Sequence, residues 1–208
     1  MERNSYDVEY CRTIFRFISA VVLGYTIYYI HYVMKCPSYA NPRTEYGGFY
    51  RYLTYQNLYL LYLSNLLLLA GDQFIGHILL HGLVFPGTIV ICLSYWYFFV
   101  FDRELVHPKG KDKYYPRWLN LIVHAGIIPI AFCNIIGTGF IPVPEISYFL
   151  CLLWPGHTYV LYRHIKTVTG EHVYAIFQHF KLYKLCLAAV PFMFICQYTG
   201  AYLSNIKL

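Results

Sequence analysis

The charged residues of this chain leave six long windows in which no Asp, Glu, Lys or Arg occurs. Each window has 17 to 29 residues, and a helix needs about 20 residues to cross the hydrocarbon core of a membrane. The windows cover residues 17–34, 52–71, 73–101, 118–144, 146–162 and 185–206. Only 12% of the residues are charged, against about 25% in a soluble domain, which excludes a water-soluble globule. The pattern predicts an all-α integral membrane protein with six transmembrane helices in one compact bundle.

The windows are joined by short segments, so residues 1–208 are expected to form a single transmembrane domain without a separate soluble part. The predicted helices cover residues 15–34, 52–71, 75–100, 117–136, 146–163 and 185–204. Between helices five and six, apolar residues recur at helical spacing: Val173, Ile176, Phe177 and Phe180. This spacing favours either an interfacial helix in the headgroup plane or a loop helix packed on the bundle.

The basic residues are distributed unequally between the two sides of the predicted bundle. The first, third and fifth loops hold twelve of the 16 Lys and Arg residues, and the positive-inside rule therefore places these loops in the cytosol. The same spread over short loops excludes nucleic acid as a partner, despite a net charge of +6, because no single basic face is formed. The protein is expected to be multi-pass, and the sequence does not distinguish the plasma membrane from the endoplasmic reticulum.

Polar side chains inside the windows are the candidates for chemistry, because burying them in hydrocarbon is unfavourable. The second predicted helix offers Thr54, Asn57 and Asn65 on one face, and the fourth offers Asn120 and His124 at i, i+4. Thr54 and His124 both lie within roughly 10 Å of the same membrane surface, at about 1.5 Å of rise per residue. A Thr hydroxyl can act as a nucleophile when a neutral His removes its proton. Spacing alone leaves ordinary packing roles open and favours them.

Four segments carry a resemblance to a known family, and they lie in matching order from helix two to helix five. They are GGFYRYLT (47–54), LVFP (83–86), FFVFDRELVHPKGKDKYYPRWLN (98–120) continuing as LIVH to His124, and HIKTVTGEHVY (164–174). They resemble the androgen-induced and androgen-dependent TFPI-regulating membrane protein family. The resemblance implies a six-pass protein that hydrolyses fatty acid esters of hydroxy fatty acids with a Thr and a His. Those residues correspond to Thr54, which closes the first segment, and to His124.

Supporting roles can be assigned around that pair as hypotheses. A lipid ester with a free carboxylate needs an anion site near the membrane surface, and Arg51 and Arg117 each precede a catalytic candidate on its own helix. Because no acidic residue lies in a window to orient His124, we expect Asn120 or a Tyr to do so. Asn57 or Asn65 is expected to donate to the oxyanion.

Two other classes of protein compete with the hydrolase. The first is a non-enzymatic lipid-binding or regulatory membrane protein, in which Thr54 and His124 only pack. The second is a haem protein, suggested by nine histidines, among them His77 and His81 at i, i+4 and the deep His157. A hydrolase of the predicted kind needs a lipid substrate but no cofactor and no metal.

Overall fold

The computed structural model describes residues 2–35, 45–140 and 143–206, and this part of the chain is helical and contains no strand. We number seven helices, of which three contain a π-helical turn. They are α1 (Glu2–Tyr28, continued by a π turn at Tyr29–Val33), α2 (Leu53–Leu69), α3 (Gln73–Leu79, a π turn at Leu80–Val84, and Phe85–Asp102), α4 (Arg117–Leu121, a π turn at Ile122–Gly126, and Ile127–Ile135), α5 (Pro144–Thr169), α6 (Ile176–His179) and α7 (Leu182–Ser204). The predicted all-α fold is confirmed.

Four segments are long and apolar enough to cross a membrane: Asp7–Val33, Gln73–Leu105, Arg117–Ile135 and Leu182–Ser204. They belong to α1, α3, α4 and α7, and they support a membrane protein. The other two predicted spans correspond to α2, which has 17 residues, and to α5, which is longer but carries His157 and several tyrosines. Six crossings and the interfacial helix remain predictions, since the region between α5 and α7 forms only the four-residue α6.

The turn between α2 and α3 follows directly from its sequence. Gly71 adopts a φ of 89°, a left-handed conformation that glycine tolerates without steric cost. The carboxylate of Asp72 then caps α3 by accepting a hydrogen bond from the backbone N–H of Ile75 at 2.9 Å. A short capped turn of this kind makes α2 and α3 antiparallel neighbours.

Helix α2 contributes Leu58, Leu61 and Leu68 to the main core, where they are buried among residues of α1, α3 and α4. A second cluster joins α3, α5 and α7 through Ile91, Cys151, Trp154 and Met193. The bundle therefore has two packed layers that share α3. Between them, near the N-terminal end of α2, the packing leaves an open space.

Two prolines free backbone carbonyls that neighbouring helices satisfy. Pro86 has no N–H to offer the carbonyl of Gly82 four residues earlier, and the Sγ of Cys151 on α5 lies 3.5 Å from that oxygen. Pro129 follows His124 by five residues, the spacing of a π-helical bond. The carbonyl of His124 instead accepts a hydrogen bond from the indole N–H of Trp96 at 2.8 Å. The indole of Trp96 thus replaces the bond that Pro129 removes, whereas the thiol of Cys151 lies closer to the Oε1 of Gln197, at 3.1 Å, than to the carbonyl of Gly82.

Polar side chains fill the end of the bundle that lies away from Thr54, which we call the closed end and define by Arg16, Asn65 and Asn134. The guanidinium of Arg16 donates to the amide oxygen of Asn134 at 3.3 Å, and Asn65 donates to the backbone carbonyl of Arg16 at 2.8 Å. Arg16 is only 2% exposed, and Glu9 lies 3.6 Å from it. The closed end is a bonded polar cluster that joins α1, α2 and α4.

Candidate functional site

A cavity of about 630 Å³ occupies the space near the N-terminal end of α2. Its volume lies within the range of about 300–1,000 Å³ that is usual for small-molecule sites. Most of the lining side chains are apolar, and α3, α5 and α7 provide the majority of these. The polar side chains that line it include Glu45, Tyr52, Thr54, Tyr55, Ser94, Tyr95, His107, Lys111, Tyr114, Tyr115, His124, Thr158 and Tyr174. A largely apolar cavity with convergent polar groups is the arrangement expected of a small-molecule binding or active site.

Thr54 reaches the cavity from the first turn of α2. It is 8% exposed, and its side chain interacts with the phenol of Tyr174, which comes from the loop between α5 and α6. Burial raises the pKa of Tyr174 to about 12, and the Tyr162 and Thr54 side chains partly offset the rise. Tyr174 is therefore a neutral hydroxyl at physiological pH, beside the candidate nucleophile.

His124 enters the cavity from the π turn of α4, and its ring is held by stacking. Its centroid lies 3.4 Å from that of Tyr95, and the two ring planes differ by 4°. Tyr95 is fixed in turn, because its hydroxyl donates to the amide oxygen of Asn120 at 2.8 Å. The Nδ1 of His124 is buried without a hydrogen-bond partner. Asn120 therefore bonds to the ring that stacks on His124, and no hydrogen bond joins Asn120 to His124 among the described residues.

The structure brings Thr54 and His124 to the same cavity from two different helices. In the described part of the chain, no hydrogen bond joins their side chains. Thr54 has Tyr174 beside it, whereas the His124 ring lies against Tyr95. Both residues line one continuous space.

A loop between α3 and α4 forms a charged rim on this cavity. Asp112 accepts a hydrogen bond from Arg103 at 2.6 Å and lies 3.2 Å from the Nε2 of His107. Arg103 holds the pKa of Asp112 below its usual value. Burial, followed by the positive charges of Lys111 and Arg103, lowers the pKa of His107, with Asp112 opposing them. The ammonium of Lys111 lies 5.7 Å from the ring centroid of Tyr52, so the rim presents a cation to the cavity.

The two arginines that the sequence suggested for a carboxylate clamp do not line the cavity. Arg51 is buried and forms an ion pair with Glu45 at 3.1 Å, so its charge is already neutralised. Arg117 is exposed at the start of α4. Lys111 is the cation that lines the cavity instead.

The two asparagines suggested as oxyanion donors also lie outside the cavity lining. Asn57 is fully buried and donates to the hydroxyl of Thr88 on α3 at 2.8 Å. Asn65 belongs to the closed end. Both side chains link helices, and neither faces the cavity that Thr54 lines.

The histidines that suggested a haem protein do not lie together in one site. His77 and His81 are buried, with both rings against Phe140, whereas His157 is exposed on α5. No group of three or more His, Cys, Asp or Glu side chains is positioned to hold a metal ion within residues 2–35, 45–140 and 143–206.

Four residues of the cavity were missed by inspection of the windows: Tyr95, His107, Lys111 and Tyr174. Three of them lie in the segments that carry the family resemblance. His107 and Lys111 belong to the segment 98–120, and Tyr174 closes the segment HIKTVTGEHVY. Those segments indicated the loops, although no spacing rule indicated that the loops meet Thr54. Tyr95 had no such signal, because it is one of 24 tyrosines.

Comparison with known proteins agrees with the resemblance. A family model described as FAR-17a/AIG1-like protein matches residues 11–206. The androgen-dependent TFPI-regulating protein of Rattus norvegicus is 26% identical over 184 residues, or 76% of each chain. Its Homo sapiens counterpart is 30% identical over 118 residues, covering 51% of this chain and 46% of the relative. The androgen-induced gene 1 protein of Homo sapiens is 26% identical over 108 residues, covering 47% and 41%. No solved structure matches.

Proposed function

Because this chain belongs to the FAR-17a/AIG1-like protein family, we propose that it is a multi-pass membrane hydrolase of fatty acid esters of hydroxy fatty acids. The observation that carries the proposal is the shared cavity. Thr54 of α2 and His124 of α4 line one apolar space of about 630 Å³, which is large enough to hold an ester and part of its acyl chains. A lipid substrate fits this wall, since most of the lining side chains are apolar.

In the proposed reaction, the Oγ1 of Thr54 attacks the ester carbonyl carbon while the His124 imidazole takes the hydroxyl proton. The tetrahedral intermediate collapses with cleavage of the C–O bond, and the imidazolium returns the proton to the departing hydroxy fatty acid. Water then attacks the acyl-threonine with His124 again as base, which releases the fatty acid. No cofactor is needed for these steps.

The surroundings of the pair support these roles. Stacking on Tyr95 holds the imidazole in one orientation, which replaces the acidic residue of a Ser-His-Asp arrangement. The neutral phenol of Tyr174 lies beside Thr54 and is the nearest candidate for a hydrogen-bond donor to the oxyanion. Lys111, at the rim, is the candidate partner for the free carboxylate of the substrate.

The proposal includes a six-span topology in which α2 and α5 also cross the membrane. Helix α2 is roughly 25 Å long at about 1.5 Å per residue, and local thinning of the bilayer can accommodate a short span. With both helices crossing, the loops that carry Glu45, Lys111 and Tyr174 share one side, as their common cavity requires.

The test is ester turnover by detergent-purified protein, comparing wild type with Thr54→Ala and His124→Ala. Each substitution is expected to lower kcat by at least about a thousandfold, as removal of a nucleophile or its base does in other hydrolases. Thr158→Ala is a matched control, because Thr158 lines the same cavity but its hydroxyl donates to the carbonyl of Trp154 at 2.8 Å. His157→Ala, on the exposed face of α5, controls for loss of a histidine.

Both controls should keep wild-type turnover. If folded Thr54→Ala and His124→Ala proteins hydrolyse the ester as fast as the controls do, the hydrolytic pair is wrong. Bound lipid without any turnover by the wild type would instead identify a non-enzymatic lipid-binding protein.

A further inference from the structure

A second, smaller cavity lies beside the candidate active site. It has a volume of about 310 Å³ and is formed by the C-terminal part of α5 and by the segment that leads into α7. Phe177 and Leu182 line both cavities, so these two side chains form part of the wall between them. We call the smaller space the basic cleft and define it by Arg163, Lys166, His172 and Lys181.

The charge of the basic cleft is unbalanced. Arg163, Lys166 and Lys181 all line it. Across the described parts of the chain, none of the three forms an ion pair with an acidic side chain, whereas Arg51 and Arg103 both do. Like charges held close together repel one another, and an anion bound between them relieves the repulsion. The cleft therefore favours a negatively charged ligand.

His172 positions one of these cations. Its Nε2 lies 2.8 Å from the Nζ of Lys166. Burial and the neighbouring Lys166 charge lower the pKa of His172, so the imidazole is neutral near pH 7 and accepts a hydrogen bond from the ammonium. This contact holds the Lys166 ammonium at the cleft without neutralising its charge.

The remaining lining of the cleft indicates the rest of the ligand. Phe177 and Leu182 provide an apolar side, and Tyr159 and Tyr183 contribute amphipathic rings. Leu182 is the first residue of a segment that is long and apolar enough to cross a membrane, which places the cleft at the boundary between hydrocarbon and water. Lipid headgroups occupy that depth, and basic pockets between membrane helices bind anionic ones.

We propose that the basic cleft binds the oxyanion headgroup of an anionic lipid, a phosphate or a carboxylate, with the acyl chain lying along α7. The site is separate from Thr54 and His124, and it does not depend on hydrolysis.

The test is native mass spectrometry of the full-length protein in detergent, titrated separately with dioleoylphosphatidic acid, oleate, dioleoylphosphatidylcholine and glycerol 3-phosphate. The wild type should retain phosphatidic acid or oleate about tenfold more tightly than phosphatidylcholine, as expected for a site that contacts several cations. The triple variant Arg163→Gln, Lys166→Gln, Lys181→Gln should lose about tenfold of that binding. Cleft-dependent loss with phosphatidic acid identifies a phosphate ligand, and with oleate a carboxylate ligand.

A matched control removes three exposed lysines outside the cleft: Lys109→Gln, Lys113→Gln, Lys184→Gln. It changes the net charge equally and should bind like the wild type. Equal loss in this control, or equal retention of phosphatidylcholine and the anionic lipids by the wild type, would overturn the proposal. Glycerol 3-phosphate binding as tightly as phosphatidic acid would overturn the lipid assignment.

Should the triple variant unfold, Lys181→Gln alone provides the second test. Lys181 is exposed just before α7, so its loss should leave the fold intact. Binding of the anionic lipid is then expected to weaken about threefold, in keeping with the loss of one surface cation, and unchanged binding would contradict the proposal.

Discussion

The two ends of the bundle bury polar side chains in opposite ways. At the closed end, Arg16, Asn65 and Asn134 bond to one another's side chains or backbone. At the cavity end, Thr54 and His124 are nearly as buried, yet they face an open volume. The difference teaches that burial of a polar group does not by itself indicate chemistry. What separates the two ends is whether the buried polar groups line an open volume.

The largest expected effect comes from replacing an alanine with phenylalanine, once in the packed core and once in the cavity wall. Ala131 on α4 is fully buried in the core, and Ala131→Phe should lower the free energy of unfolding by about 3 kcal/mol, because a packed core cannot absorb a ring. Ala189 on α7 lines the cavity, so Ala189→Phe should change stability by less than about 1 kcal/mol but reduce ester turnover. Thermal unfolding in detergent measures the first effect and kcat the second. Equal destabilisation by both variants would show that the cavity is not open space.

A smaller effect is expected when one partner is removed at the closed end. Asn134→Leu leaves the guanidinium of Arg16 without its amide acceptor, which should cost about 2 kcal/mol for a hydrogen bond to a buried charged group. Ser94→Ala is the counterpart in the cavity lining, where the hydroxyl donates only to carbonyls of its own helix. Its unfolding temperature should match that of the wild type. If Asn134→Leu also melts like the wild type, the polar cluster is not stabilising.

The roles of Lys111 and Arg117 can be distinguished by comparing a substrate that has a free carboxylate with its methyl ester. Lys111→Gln should weaken hydrolysis of a free fatty acid ester by about tenfold, the effect of losing one charge-assisted contact. The same variant should leave the methyl ester of that substrate unaffected. Arg117→Gln removes an exposed charge outside the cavity and should alter neither rate. A loss in kcat/KM with Arg117→Gln but not with Lys111→Gln would reverse the assignment.

The smallest effect concerns the pH dependence of the loop that carries His107 and Asp112. The folded state lowers the pKa of His107, so the unfolded state binds its proton more readily, and stability is lost as pH falls below about 6.5. The pKa of Asp112 is also lowered, so its contribution is lost only at more acidic pH, below about 4. Hydrogen exchange in residues 103–116, expressed relative to the intrinsic exchange rate at each pH, should therefore rise between pH 7 and pH 5 and again below pH 4.

His107→Gln provides the control for this titration. The first rise in exchange should disappear in that variant, whereas the rise below about pH 4 should remain. Exchange that stays constant from pH 7 to pH 5 in the wild type would contradict the role of His107.

The sequence predicted the helices well because the exclusion of charged side chains from hydrocarbon is a strong constraint. Charged side chains are unfavourable in hydrocarbon, so the charge-free windows predicted most helix ends to within a few residues. Arg16 shows where the rule fails. It flanks the first window, yet the structure buries it because Asn134 and Glu9 provide partners, and α1 extends well beyond the window to Glu2.

The candidate site was harder to predict because its members come from distant segments. Helical spacing placed Thr54 and His124 at similar depths, but it could not show that Tyr174 and Lys111 approach from two loops. The prediction that Arg51 binds the substrate carboxylate considered only its position in the sequence before Thr54. Its ion pair with Glu45 depends on how the preceding loop folds, and no periodicity encodes that contact.

The π-helical turn at Ile122–Gly126 divides α4 into two halves whose side chains are rotated relative to each other about the helix axis. A π turn holds about one residue more than an α turn, so every side chain beyond it is rotated by about 100° relative to an unbroken α-helix. His124 can thereby point toward Tyr95 and the cavity while Asn134 still meets Arg16. Deleting a single residue from this turn would restore regular winding and force one of these two alignments to be given up, although no side chain involved had changed.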